Sequence, residues 1–408
     1  FSYLGLSSTT GIIILIISYF NFSFRKKSSK IKAPKESKKD ARATFKRPIL
    51  NPIYNGQTEW IQFKSFFRIN FSNIVKSTSF KILFLFSVII LISSLWGGAE
   101  YYGLQSYPLT YKVIDIIRLS TEIFVIIILV FFSGNLIWRD RDSKINDVID
   151  ATPHTSFISL ATKAISLVAV TTIIHMFFII SGIVYQLANG FHRIEFDVYF
   201  LDFFYTSLMT YIIWSGVMIM IQVLLNNKYI GYFVSILVVF LWRYLLLIFD
   251  IQSNMLSIGG RPGMIYSDMN AFGPSLPGVM WFNLYWVLFS FICLLVAGAL
   301  WNRGSISSLK GRIQIAKKQI PKSYRLIIVG TLVCWMAVAG FVFYNTQVLN
   351  KYNSSNELQQ LAVNYENNYK KYEYAKLPKI NDVKYSVDIF PHKREVFVKA
   401  IMTLVNES

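Results

Sequence analysis

The stretch WRDRDSKINDVIDATPHTS, residues 138–156, decides how this chain is read. Its nineteen residues lie between two long apolar runs, residues 116–137 and 157–184. Within it Ile145, Val148 and Ile149 recur at i, i+3 and i+4, the spacing of one helix face. Pro153 closes that pattern, because proline inside a helix lacks the amide and clashes with the preceding turn. Two membrane helices that leave the bilayer and present a short amphipathic helix make a docking device. An ordinary polar hairpin between two spans has the same outline, and the pattern alone leaves both readings open. In a docking device the contact residues are Arg139, Asp140, Arg141, Asp142, Ile145, Val148 and Ile149.

The composition around this stretch is that of a polytopic membrane protein. Hydrophobic residues make up 54% of the chain, with 34 Phe and 24 Tyr. Several apolar runs approach or exceed the roughly 20 residues that cross a hydrocarbon core. The net charge of +19 is concentrated between these runs, as in loops that face the cytoplasm and its anionic lipids. Aromatic interleaving and a nucleic-acid-binding fold are both missing from the basic segments, so they read as lipid contact and not as a nucleic-acid surface. Cys293 and Cys334 both fall within expected spans, which argues against a disulfide framework. The chain starts in an apolar stretch without Met and ends after a strand-like pattern, so further residues are expected at both ends.

Eight spans are expected, at residues 7–22, 79–96, 113–137, 157–187, 203–225, 229–249, 279–301 and 326–344. Residues 1–24 read as the last span of a preceding membrane unit and residues 25–59 as a basic cytoplasmic linker. The linker has eleven Lys or Arg between residues 25 and 47 against Glu36 and Asp40. Residues 60–78 carry Trp60, Phe63, Phe66, Phe67, Phe71 and Ile74 at helical spacing, with Lys64, Arg68 and Lys76 between them. That pattern predicts an interfacial helix half sunk among headgroups, its stripe interrupted by Asn70.

The spans carry few charges, and each has two readings. Asp115, Arg118 and Glu122 share one face, where they either satisfy one another at the membrane boundary or line a pathway. His175 is either a core histidine bonded to a neighbouring helix or a functional group. Arg243 lies in the outer half of its span, near Asp250. Residues 250–278 hold many Gly and Pro breakers among Met255, Ile265, Tyr266 and Phe272, with Ser267, Asp268 and Asn270 beside them. This predicts compact turns at the outer mouth of the bundle, or a re-entrant segment. Residues 303–325 form a basic cytoplasmic loop, residues 345–380 a helical stalk, and residues 381–408 the start of a β-rich soluble domain. In the last of these, Val383, Tyr385, Val387 and Ile389 alternate, and so do Val396, Val398, Ala400, Met402 and Leu404. With the basic segments inside, residues 345–408 fall outside.

The order of these segments resembles the permease part of Bacteroidetes-type fusion proteins, in which an ABC-2 type exporter membrane region precedes an M1-family aminopeptidase-like domain. The resemblance rests on residues 138–153, YSDMNAFG at 266–273, WFNLYW at 281–286, and residues 348–391, and it spans essentially the whole chain. It implies an all-α, type V exporter-like six-helix unit over residues 60–302, preceded by an elbow helix at 60–78. It also implies an additional span at 326–344 and the start of a β-sandwich-like peptidase-associated domain. Residues 138–156 then dock on separate ABC ATPase subunits that carry ATP and Mg, and residues 250–278 are the re-entrant outer loop. Further partners on this reading are an anionic bilayer and another permease half, copy or envelope protein. The resemblance places the chain in the bacterial inner membrane, with residues 345–408 periplasmic, and leaves any zinc to a domain beyond residue 408. The chain itself has no GxxxxGK[ST] and no HExxH, so no catalytic residue, metal ligand or cofactor site is assigned within it. A mechanotransmitting complex acting on the external domain is the alternative function. An ion-coupled carrier is disfavoured, since His175 and Arg243 stand isolated in the sequence.

Overall fold

A computed structural model describes residues 56–97, 100–101, 104–105, 107–152, 154–225, 227–301, 308–350, 352–375, 378–393 and 395–406. The expected first span, most of the basic linker and Pro153 lie outside the described residues. The elements are α1 (Gly56–Lys76), α2 (Thr78–Gly97), a small β1–β2 hairpin (Glu100–Tyr101 and Leu104–Gln105) and α3 (Thr110–Asp142). Then come α4 (Asn146–Asp150), α5 (Ser156–Ala188), α6 (Phe196–Leu224), α7 (Lys228–Ile248) and α8 (Leu276–Leu300). The chain continues with α9 (Leu309–Gln319), α10 (Lys322–Leu349), α11 (Ser355–Tyr369) and the β3–β4 hairpin (Lys379–Phe390 and Glu395–Val405).

Six of the described helices, α2, α5, α6, α7, α8 and α10, are long and apolar enough to cross a membrane. With them packs α3, which is uncharged from Ile123 to Trp138. The chain is therefore a largely helical, multi-pass membrane bundle followed by a two-stranded sheet. Prolines mark the boundaries: Pro108 precedes α3, Pro321 precedes α10, and Pro277 sits in the first turn of α8. Side-chain caps fix other starts. Thr155 accepts from the Ile158 amide, Asn227 from those of Tyr229 and Ile230, and Ser308 from that of Gly311. Ser354 and Glu357 form a reciprocal capping box at α11.

The core runs along α3, whose Val125, Ile128, Leu129, Phe132 and Leu136 are all buried, against Leu160, Leu167, Ile174 and Phe178 of α5. Close helix contact depends on small residues. Gly216 of α6 lies against the backbone and side chain of Ser290 on α8, whose hydroxyl donates to the Ile212 carbonyl at 3.0 Å. By contrast α7 buries only Gly231, Ser235 and Leu246 among its described residues, and α10 only Val342. These two helices lie at the edge of the bundle.

Several expectations change. Asn70, expected to break the lipid-facing stripe of α1, is one of its two buried residues and donates to Thr162 Oγ1 of α5 at 3.4 Å. Thus α1 packs along α5 through this face. Residues 196–202, expected in an external loop, are helical and continue into α6 through a π-helical turn, Phe203–Leu208. The basic loop 303–325 contains α9. The last span does not stop at Tyr344: it continues through a π-helical turn to Leu349, so the stalk begins later and its regular part is α11. The tail hairpin pairs as the alternation predicts, with Val383 opposite Met402, Tyr385 opposite Ala400, Val387 opposite Val398 and Ile389 opposite Val396.

The tight crossing of α6 and α8 gives a direct test. Gly216→Val should lower stability by about 1–3 kcal/mol through overpacking, read as thermal unfolding in detergent. Gly330→Val, where an added Cβ meets nothing within 4 Å, should leave it unchanged.

Candidate functional site

The bundle has two chemically distinct ends. At the basic end, α3 and α5 are joined by the hairpin carrying α4. Both helices have 33 residues, about 50 Å of length at 1.5 Å per residue. That exceeds the roughly 30 Å hydrocarbon thickness, so part of each stands outside it.

The charged run of the hairpin is not a free surface, because α3 continues helically to Asp142. Trp138 Nε1 donates to Gln222 Oε1 of α6 at 3.1 Å. Arg139 pairs with Asp140 at 3.1 Å, and Asp140 lies 3.5 Å from the buried Lys163 Nζ of α5, which also donates to the Leu136 carbonyl at 2.6 Å. The Arg141 guanidinium sits between the Trp138 and Trp301 rings, 5.3 Å from each centroid, a doubled cation–π contact. Asp142 pairs with Lys228 of α7 at 2.6 Å. Asp140, Arg141 and Asp142 therefore fasten the hairpin base to the bundle, while Arg139 pairs within the run. Lys144 then turns the chain in the left-handed region, at φ 56°. Beyond it Ile145 is 44% exposed and Val148 72% exposed, while Ile149 is half-buried. On the return, His154 packs edge-on against Phe66 of α1 at 5.2 Å.

Behind the hairpin, α9 supplies Arg312. Its guanidinium is buried and donates to the Val223 and Leu224 carbonyls at 2.6 and 2.8 Å, closing the open end of α6. Burial, helped by Arg141 nearby, lowers its pKa below the ordinary arginine value.

At the opposite end, residues 250–275 form compact turns with positive φ at Asp250, Gly259 and Ala271. Trp286 Nε1 of α8 donates to the Gly260 and Asn254 carbonyls at 3.0 and 3.3 Å, and Tyr285 to that of Met255 at 3.2 Å. Tyr266 stacks on Tyr111 at 5.2 Å, bonds Glu195 at 3.3 Å and meets the buried Phe272. Ser267 closes a bridge to Ala271, whereas Ile265, Asp268 and Asn270 face outward. Gln252 reaches the tail: its amide donates to Tyr352 Oη at 2.9 Å, and its side chain bonds Ser355 of α11.

Beneath these turns lies a polar cluster. Arg118 pairs with Asp115 and lies 3.6 Å from Asp202 of α6. Arg261, from loop 250–275, donates to Thr210 at 2.9 Å and lies in the field of Glu122 and Asp202. Burial lowers the Arg261 pKa and the two carboxylates raise it, and the guanidinium keeps its charge. His175 shares a 2.8 Å hydrogen bond with Tyr211 of α6, the partner that a core histidine requires. Gln186 donates to the Pro108 carbonyl at 2.8 Å and accepts from Tyr199 at 2.9 Å. Arg243 is exposed.

Reading the sequence brings Asp115, Arg118, Glu122 and His175 forward but misses Arg261, Asp202 and Gln186. The one available signal was an arginine within GGRPG, the only basic residue of the loop, amid breakers. Among the described residues no group of His, Cys, Asp and Glu is arranged to hold a metal ion. No protein-family model matches the chain, and neither does any curated protein. Fold and site together define a multi-pass membrane protein with a fastened hairpin at its basic end and a pinned loop at the other.

Arg261 is the testable part of that loop. Arg261→Gln should destabilise the protein by about 1.5–3 kcal/mol, the worth of hydrogen bonding to a charged group. Protease cleavage within residues 250–275 should accelerate in detergent micelles, and Arg243→Gln, at an exposed site, should change neither readout.

Proposed function

We propose that this chain is the membrane subunit of an ABC-type exporter, coupling ATP hydrolysis by separate subunits to export of an amphipathic substrate. The observation that carries this reading is the hairpin of residues 138–156. At its base Asp140, Arg141 and Asp142 engage the bundle, and its tip presents Ile145 and Val148 outward. A soluble partner that closes on such a tip can push on α3 and α5 together and bias two packings of the bundle.

The distribution of charge supports the orientation. The hairpin, Lys228 and α9 with Lys310, Arg312, Lys317 and Lys318 share one end, so the positive-inside rule makes that end cytoplasmic. Loop 250–275, α11 and the β3–β4 hairpin are then extracytoplasmic, in the periplasm if the membrane is a bacterial inner membrane. Exposed Asp115 and Glu122 on α3 fit a water-lined pathway or a second membrane half, since carboxylates facing lipid are costly. On this reading ATP and Mg belong to the partner, and an M1-like metallopeptidase domain would continue the tail. No step is routed through zinc here, because the described residues offer no ligand set for it.

One contact favours the mechanotransmitting alternative. Gln252 ties the outer loop to Tyr352 and Ser355, so the loop and the tail move together. A stroke delivered to the loop would then reach an external domain without any substrate crossing.

Replacing Ile145 and Val148 together by Asp should reduce copurification of an ATPase at least about tenfold, equal to ~1.4 kcal/mol of interface energy. The size-exclusion profile should stay that of the native protein. Undiminished copurification would sink the hairpin as the main dock.

A further inference from the structure

Where α3, α5 and α6 meet, a cavity of about 10 Å³ is walled by Ile114 and Ile117 of α3, His175 and Ile179 of α5, and Tyr199 and Asp202 of α6. That is the room of one water molecule, and water settles in such a space only where polar atoms receive it. Gly182 of α5 brings these walls together. A Cβ there would strike Ile117 and Val113 at 2.9 Å and crowd Tyr199 Oη at 3.3 Å. The three helices therefore close around the space to within the reach of a single water.

Two of the wall residues leave a polar atom unmet. His175 is 5% exposed, its ring packed against Phe178 and Phe203 with centroids at 6.4 and 5.4 Å. Its Nδ1 shares the hydrogen bond with Tyr211, and Nε2 has no hydrogen-bond partner among the described residues. Asp202 is 3% exposed, and its Oδ1 likewise lacks a hydrogen-bond partner among them, with Arg118 Nη1 3.6 Å away. Arg118 gives its hydrogen bond to Asp115 instead. Buried polar atoms are costly to leave unpaired, and each one left so needs a physical reason. Here the reason is shared, because both residues line the same one-water space.

We propose that this cavity holds one water molecule, and that Asp202, the water and His175 form a buried proton-sharing relay. Water donates and accepts at once, so it can bond Oδ1 and Nε2 together. A proton on Asp202 passes by two coupled transfers. The Asp202 O–H breaks as the water oxygen gains that proton, and one of the water's own O–H bonds breaks as Nε2–H forms. The products are a carboxylate and an imidazolium one water apart, and the reverse transfers restore the neutral pair. Tyr211 lets the ring hold either state, because a hydroxyl donates to a bare Nδ1 and accepts from Nδ1–H. Ser207, hydrogen-bonded to Tyr211 from the π-helical turn, anchors that hydroxyl. The other charged or titratable groups around the relay are Asp115, Arg118 and Glu122 of α3, Tyr199 of α6 and Arg261 of loop 250–275. Lys112 lies one turn before Asp115 on α3. Arg118 keeps its own proton and, paired with the exposed Asp115, stands at the edge of the relay. The proposal requires only the packing of α3, α5 and α6 and is independent of what the chain exports.

The test uses the full chain in lipid nanodiscs, with isotope-labelled histidine read by nuclear magnetic resonance. The chain has 4 His, and His175→Gln identifies which signals belong to His175. The His175 ring should receive magnetisation directly from a bound water, and its ring proton should exchange with solvent. Asp202→Asn keeps a hydrogen-bonding side chain that cannot pass a proton. It should retain the water contact and slow the exchange at least about a hundredfold, the lower end of what a positioned acid–base group gives a proton transfer. Tyr199→Phe is the control: Tyr199 lines the cavity, but its hydroxyl is spent on Gln186, and the exchange rate should stay that of the native protein. A native protein whose His175 ring contacts no water would overturn the site and the relay together, whether or not any variant folds. Exchange in Asp202→Asn as fast as in the native protein, or faster, would overturn the relay. So would an equal slowing in Tyr199→Phe, which leaves both relay residues in place.

Discussion

Lys163 Nζ reaching the Leu136 carbonyl shows the interaction on which this bundle depends: a polar side chain crossing a helix gap to a neighbour's backbone oxygen. Asn283 does the same to Tyr205, Ser290 to Ile212, Tyr232 to Phe131, Tyr324 to Leu295, and Arg312 to the end of α6. Among lipid tails, burying an apolar face against another helix yields little, because the tails are equally apolar. Packing and hydrogen bonds must hold the helices together. A carbonyl already engaged in its own helix still has a second lone pair to offer. Tyr205 lies within the π-helical turn of α6, where the regular bonding pattern is shifted, and Asn283 meets its carbonyl at 2.7 Å. The bonds that set the spacing of the helices are therefore not the bonds that form the helices.

This division explains what could be read from the sequence. The spans from 78 onward were legible because apolar runs of this length have few other uses. The tail hairpin was legible because a period of two fixes both strand type and face. Helix ends were legible only within several residues. The first turns of α6, with Asp197 and Asp202, and the extension of α10 to Leu349 pass for loop in the sequence, and the first of these packs against α3. Asn70, Lys163, Gln222 and Arg312 were illegible as anchors. A polar residue in an apolar run shows that a partner is needed, but the partner is a backbone carbonyl or a side chain tens of residues away.

The charged run WRDRD shows how little the sequence says about where charges go. Four alternating charges outside a span suggest a solvated contact surface, and the two tryptophans flanking this problem, Trp138 and Trp301, lie 163 residues apart. Only folding places both rings on the Arg141 guanidinium, with Lys163 5.5 Å from the Trp301 ring. Charges expected to face a partner were thereby turned into the fastening that stiffens the hairpin. Two of the exposed residues beyond it, Ile145 and Val148, are apolar, and apolar side chains in water gain from being covered by protein.

The same contact decides how the two ends communicate. Trp301 directly follows α8, and α8 carries Tyr285 and Trp286 near its middle, bonded to three carbonyls of loop 250–275. The helix has 25 residues, a rod of about 38 Å that spans the hydrocarbon. A hydrogen-bonded helix is stiff along its axis, so an axial shift imposed at Trp301 arrives at Trp286 with little loss. From there Gln252 carries it to Tyr352 and Ser355. Neither α7 nor α10 provides a comparable route, since each buries little of itself in the bundle. On the proposed reading, α8 is the element through which closure at the cytoplasmic hairpin reaches the outer loop and the tail. Its Gly216–Ser290 crossing with α6 is tight enough that the two helices must move as a pair.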